Sequence, residues 1–118
     1  MPSSDPRQRL ADIVENIEFA LAFTADLTIE EFVADRKAFY AGTPCLEIIS
    51  EASRRLPPEL KARHPAVDWR RVAGAGNVYR HEYPAVEPRQ VWITARGHLD
   101  ALEAAARREL AALPPAGE

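Results

Sequence analysis

Asn77, Arg80, His81 and Tyr83 fall within one short segment, GNVYRHEYP, running from Gly76 to Pro84. Together they carry a carboxamide, a guanidinium, an imidazole and a phenol. Asn77 and His81 are four apart and share a face if the segment is helical; Gly76 and Arg80 share the adjacent face. Helical side chains lean toward the N-terminus, so the Arg80 guanidinium would lie above the gap left by Gly76. A histidine with an ordinary pKa near 6.5 can move a proton to or from a ribose 2′-hydroxyl or a leaving oxygen near neutral pH. An arginine beside it can neutralise charge growing on phosphoryl oxygens. Such a set suits cleavage of a phosphodiester and calls for no metal and no cofactor. A structural reading fits the same residues: His81, charged, capping a helix C-terminus against its dipole, with Arg80 a surface cation and Asn77 making a local hydrogen bond.

The elements that must position this segment follow from composition and spacing. At 118 residues the chain fits a single domain, 1–118. With 47% hydrophobic and 28% charged residues it can bury a modest core. Glycine is scarce and β-branched runs flanked by turn pairs are absent, which favours helices. The single Cys45 cannot form an intramolecular disulfide, and with no signal-like leader it points to a reducing cytosol. No apolar run approaches the roughly 18 residues of a membrane span. The three His and one Cys show no zinc-ligand spacing.

Asp5-Pro6-Arg7-Gln8 reads as a helix start, with Asp5 as N-cap and Gln8 closing a capping box. Leu10, Ile13, Val14, Ile17, Ala20 and Leu21 continue it as one apolar stripe to about Thr24. Thr28-Ile29-Glu30-Glu31 is a second capping box, opening a short helix expected to bury Phe32 and Val33. A third pattern runs Phe39, Cys45, Leu46, Ile49, Ala52, Leu56, with Gly42-Thr43-Pro44 inside it expected to kink or split the helix. Leu56-Pro57-Pro58 ends that element, a helical turn follows over 59–63, and His64-Pro65 breaks the chain again. Trp69 to His81 reads as a helix weakened by Gly74 and Gly76, glycines that suggest close approach of another backbone or a ligand. A last helix carries Val91, Trp92, Ala95, Leu99, Leu102, Ala106 and Leu110 until Pro114-Pro115. The expected architecture is all-α: an antiparallel, up-and-down bundle of four long helices with one or two short ones.

Charge is uneven. Net charge is −3, yet Arg54, Arg55, Lys61, Arg63, Arg70, Arg71 and Arg80 face only Glu59 and Asp68 between Arg54 and His81. This basic middle suits either a local polyanion site or a solvated charged face. Glu51 with Arg54 or Arg55 reads as an ion pair at helical spacing, and Arg54 is also a candidate lining for an RNA cleft. Trp69 and Trp92 read as core or interface aromatics, and Cys45 as a small buried hydrophobe. His64 and His98 have no sequence neighbours that suggest chemistry.

The run CLEIISEASRRLPPELKARHPAVDWRRVAGAGNVYRHEYPAV, Cys45 to Val86, resembles the HepT-like (DUF86) branch of the HEPN superfamily. The E-A-x-R-R-L-P segment at Glu51–Pro57 and the N-x-x-x-H-x-Y segment at Asn77–Tyr83 carry the resemblance. It extends more loosely to Arg9–Asp35 and to the Val91-Trp92 helix. The resemblance implies an antiparallel helical bundle, usually a homodimer whose two active sites face a shared cleft. It further implies a metal-independent endoribonuclease toxin acting on RNA, encoded beside a nucleotidyltransferase antitoxin. The family's catalytic signature is R-x(4–6)-H, and its histidine matches His81. In some systems the antitoxin adenylylates the tyrosine two residues on, here Tyr83, and a bulky anionic nucleotide there would repel an RNA phosphate. The chain departs from the pattern at one point: Gly76 stands where the family has its arginine. Arg80, one helical turn later, is the candidate to supply that cation; Gly76 itself would line the cleft. The alternative is a weak or inactive module that docks a nucleotidyltransferase or a nucleotide.

Overall fold

Leu10, Ile13, Ile17, Ala20 and Thr24 recur at helical spacing, and all five are buried on one side of α1 (Arg7–Thr24). A computed structural model describes the fold for residues 5–74, 93–94, 97 and 99–114. The start of α1 differs in part from expectation. Pro6, not Asp5, is the N-cap; Asp5 Oδ1 still accepts the Arg7 N–H, at 2.8 Å, but Gln8 does not close a box, and its Nε2 donates forward to Asp12 Oδ1 at 2.9 Å. The box would need the Gln8 carboxamide oxygen to accept the N-cap N–H, whereas its amide group is turned forward to the charged Asp12 carboxylate.

The second capping box is formed in full before α2 (Ile29–Ala34). Thr28 Oγ1 accepts from Glu31 N–H at 3.1 Å, and Glu31 Oε1 accepts from Thr28 N–H at 2.9 Å. Phe32 is fully buried, but Val33 is 39% exposed, which corrects the expectation that both go inward. Adjacent residues on a helix point about 100° apart, and six residues present only one face to the core.

α3 runs from Arg36 to Arg54 with Pro44 inside it, so the helix is not split at Gly42-Thr43-Pro44. Pro44 removes one backbone donor, but the turns after it bury Cys45, Leu46, Ile49 and Ala52. Each fully buried aliphatic side chain contributes about 1.5–3 kcal/mol, enough together to outweigh the proline's cost of about 3 kcal/mol. The last turn tightens through Arg55 N–H to Ala52 and Leu56 N–H to Ser53. Pro57, extended, then caps α4 (Pro58–Ala62), with Pro58 at its first position.

α1 and α3 make the most extensive helix contact and run antiparallel: Ala20 meets Cys45, while Arg9 and Asp12 lie beside Glu51, Ala52 and Arg55. The last long helix, α5 (Asp100–Ala112), also packs on α1, burying Leu102, Ala105 and Ala106. It does not continue smoothly from the preceding helical residues, because Leu99, at φ −112° and ψ −5°, departs from regular helical geometry and caps α5. Leu99 is itself buried in the main core. Every regular element among the described residues is an α-helix. Among them, too, no helix is long and apolar enough to cross a membrane.

Candidate functional site

The chain enters the Gly76–Pro84 segment from a helical run over residues 69–74. Local chemistry starts this run. Asp68 Oδ1 accepts the Arg71 N–H at 3.1 Å, an N-cap bond, and the Asp68 carbonyl accepts Val72 N–H. Trp69 secures the start from outside, its indole Nε1–H shared between the Lys61 and His64 carbonyls at 3.1 and 3.2 Å. The same ring packs on the main core, as expected of a core aromatic. Val72 is buried, and the run is tied to α3 by one side-chain bond: Ser50 Oγ donates to the Ala73 carbonyl at 2.7 Å.

Ser50 is completely buried, and Ser53 beneath it donates to the Ser50 carbonyl at 2.7 Å. Among the described residues no buried side-chain nitrogen or oxygen lacks a partner. A Cβ at Gly74 would meet no described atom within 4 Å.

On the outer face of α3, Glu51 accepts from Arg54 Nη2 at 3.1 Å and from Arg55 Nε at 2.8 Å, the ion pairing expected from their spacing. The Arg55 hydrogen bond is the main cause holding the Glu51 carboxyl below the usual carboxylate range. Glu51 and Arg55 line an open groove of about 400 Å³ between α1 and α3, together with Arg9, Asp12, Pro44 and Ile48. The Arg54 side chain stays 30% exposed beside the ion pair.

The basic middle is therefore partly neutralised. Arg54 and Arg55 share Glu51, and Arg63 makes a two-pronged bond to Glu109 on α5, at 3.0 and 2.8 Å. His64 Nε2 reaches the same carboxylate at 2.6 Å. Arg70 and Arg71 stand exposed on the run leading to the segment. Cys45 is buried beside Ala20, and burial pushes its thiol pKa up, which leaves it unreactive.

Gly76, Asn77, Arg80, His81 and Tyr83 lie outside the described residues, as do Trp92 and His98. Two features escaped sequence reasoning. Ser50 and Ser53 fall on the buried stripe of α3 with Leu46, Ile49 and Ala52, and polar residues on an apolar stripe were the available signal. The Arg63, His64 and Glu109 cluster joins residues 45 and 46 apart and leaves no trace in local spacing.

The sequence model of a family described as "HepT-like: Ribonuclease HepT-like" matches residues 13–109. "Probable ribonuclease HepT" of Thermococcus cleftensis is 36% identical over 94 residues, covering 80% of this chain and 86% of that one. "Putative RNase MJ1216" of Methanocaldococcus jannaschii is 32% identical over 96 residues, covering 81% and 79%. "Putative RNase TTE0752" of Caldanaerobacter subterraneus subsp. tengcongensis is 35% identical over 98 residues, covering 83% and 88%. No solved structure matches.

Proposed function

The chain belongs to the ribonuclease HepT-like family, and we propose that it is an endoribonuclease toxin acting on RNA from the Gly76–Pro84 segment. The observation that carries this reading is the span of the family match, residues 13–109, which runs through His81. Neutral His81 takes the proton of a ribose 2′-hydroxyl as the 2′-oxygen bonds to phosphorus. The 5′-oxygen leaves, and the imidazolium returns the proton to it. Arg80 holds the charge that grows on the phosphoryl oxygens, and Asn77 orients the phosphate. Arg54 and Gly76 line the RNA path. The chemistry needs no metal and no cofactor.

Within this reading the protein works in the cytoplasm as a homodimer, restrained by a nucleotidyltransferase antitoxin. Phe19, Phe23 and Ile48, each more than 40% exposed on α1 and α3, offer apolar surface that such a dimer can bury. The antitoxin acts by adenylylating Tyr83: the phenolic oxygen bonds to the α-phosphorus of ATP, pyrophosphate leaves, and the phenolic proton goes to solvent. The nucleotide then blocks and repels an RNA phosphate beside His81.

The test is expression alone and with the neighbouring gene, followed by an RNA cleavage assay and intact mass. We expect cleavage by the protein alone, its loss in His81→Ala, and a mass gain on Tyr83 with loss of activity in the pair. Undiminished toxicity and cleavage in His81→Ala would overturn the assignment. Gly76, standing in place of the family's arginine, favours a second reading: a module that docks the nucleotidyltransferase or a nucleotide without cutting RNA. Protein that leaves RNA intact at micromolar concentration, with Arg80 present, would select that reading.

A further inference from the structure

We propose that Arg54, Arg70 and Arg71 form a surface that holds the phosphate backbone of an RNA strand; this rests on the ribonuclease reading above. The Ser50–Ala73 bond, 2.7 Å, assembles it by joining α3 to the helical run over residues 69–74. Arg54 is four residues on from Ser50, and Arg70 is three residues before Ala73, so each shares the helix face that makes this contact. The two arginines stand one turn from the junction of their elements. Arg70 and Arg71 are both exposed on the run. Gly74, four residues after Arg70 and three after Arg71, extends their side, and no described atom lies within 4 Å of where its Cβ would stand. No described side chain obstructs a strand there.

The charge on this surface is available to a polyanion. Arg63, in the same basic stretch, is closed by two bonds to Glu109, and Arg55 Nε by Glu51. Arg70, by contrast, makes no ion pair among the described residues. Arg54 donates to Glu51 through Nη2, with its side chain 30% exposed. Asp68 caps the run, its Oδ1 accepting the Arg71 N–H at 3.1 Å. Exposed ion pairs contribute about 0–1 kcal/mol, so an incoming phosphate competes with Glu51 for Arg54 on nearly equal terms. Guanidinium forks match phosphate oxygens in pairs, and such contacts position a strand without reading its sequence.

The experiment measures binding of the full chain to a short single-stranded RNA with 2′-O-methyl riboses, which offer no hydroxyl to the cleavage step. Arg54→Gln, Arg70→Gln, Arg71→Gln and the triple variant are compared with the unsubstituted protein over a range of salt concentrations. We expect each substitution to flatten the slope of log affinity against log salt by about 0.7, and the triple by about 2, for every RNA sequence alike. Arg108→Gln, which removes the same charge from an exposed position on α5, should leave the slope unchanged. Replacing all three arginines by lysine should keep most of the affinity, because the charges remain. Glutamine variants with the slope of the unsubstituted protein would overturn the proposal, as would an equal loss in the lysine variant or in Arg108→Gln. If the glutamine triple does not fold, the single variants and the lysine variant decide. Unaltered slopes in a protein that cuts RNA sink this surface alone. A chain that binds RNA through these arginines but cuts none sinks the ribonuclease reading and leaves the surface standing. A chain that neither binds nor cuts RNA sinks both.

Discussion

His64 Nε2 stands 2.6 Å from Glu109 Oε2, joining the loop after α4 to the C-terminal helix across 45 residues of chain. Arg63 closes the same carboxylate through two further bonds. With Glu109 ionised, Nε2 takes the donor role, since a carboxylate offers only acceptors. The Arg63 hydrogen bond is the largest cause lowering the Glu109 pKa, to about 2, with His64 contributing in the same direction.

That shift gives stability a pH dependence with a definite sign. Between about 2 and 4.5, the ordinary value, the folded chain binds less proton at Glu109 than the unfolded chain does. The contribution is complete above that interval and is lost as pH falls through it. Thermal unfolding from pH 7 to 2 should show this loss in the natural chain, and a weaker slope over the interval in Glu109→Gln. Equal slopes in the two proteins would contradict it.

Pro44 is exposed on a helix that continues on both sides of it. Pro44→Ala restores a donor for the helix ladder and relieves the ring clash, against a smaller gain in unfolded-state freedom. We expect stabilisation of about 1–3 kcal/mol by denaturant unfolding. A loss of stability would mean that the helix depends on the proline's geometry.

Gly74→Ala meets no described obstacle and should favour the helix by about 0.5–1 kcal/mol. Amide hydrogen exchange over residues 69–74 should slow correspondingly. Faster exchange would show that an alanine side chain is not tolerated there.

The arginine question at the proposed site is open to a paired substitution. If Arg80 supplies the cation, Arg80→Ala should lower kcat at least about 100-fold, as removal of a transition-state stabiliser does. Gly76→Arg, which reinstates the family residue, should then recover much of the loss in the double variant. Full activity in Arg80→Ala alone would remove Arg80 from the mechanism.

Much of this protein was legible because the interactions are local. The stripe from Leu10 to Ala20, the Thr28–Glu31 box, the Pro57-Pro58 boundary and the Glu51 ion pairs all rest on contacts within about one helical turn, where residue spacing alone brings partners together. The chemistry assigned to Gly76–Pro84 likewise comes from residue types in order and from kinship along 13–109. Tertiary structure decided the rest. Burial beyond Pro44 kept the helix from splitting there, Val33 was left outside by the geometry of a short helix, and the last long helix starts afresh after Leu99. It also decided that Ser50 meets Ala73 and that Arg63 and His64 meet Glu109, pairs separated by 23 to 46 residues. Spacing carries no information about such contacts, because only the packing of whole helices brings their surfaces within hydrogen-bond range.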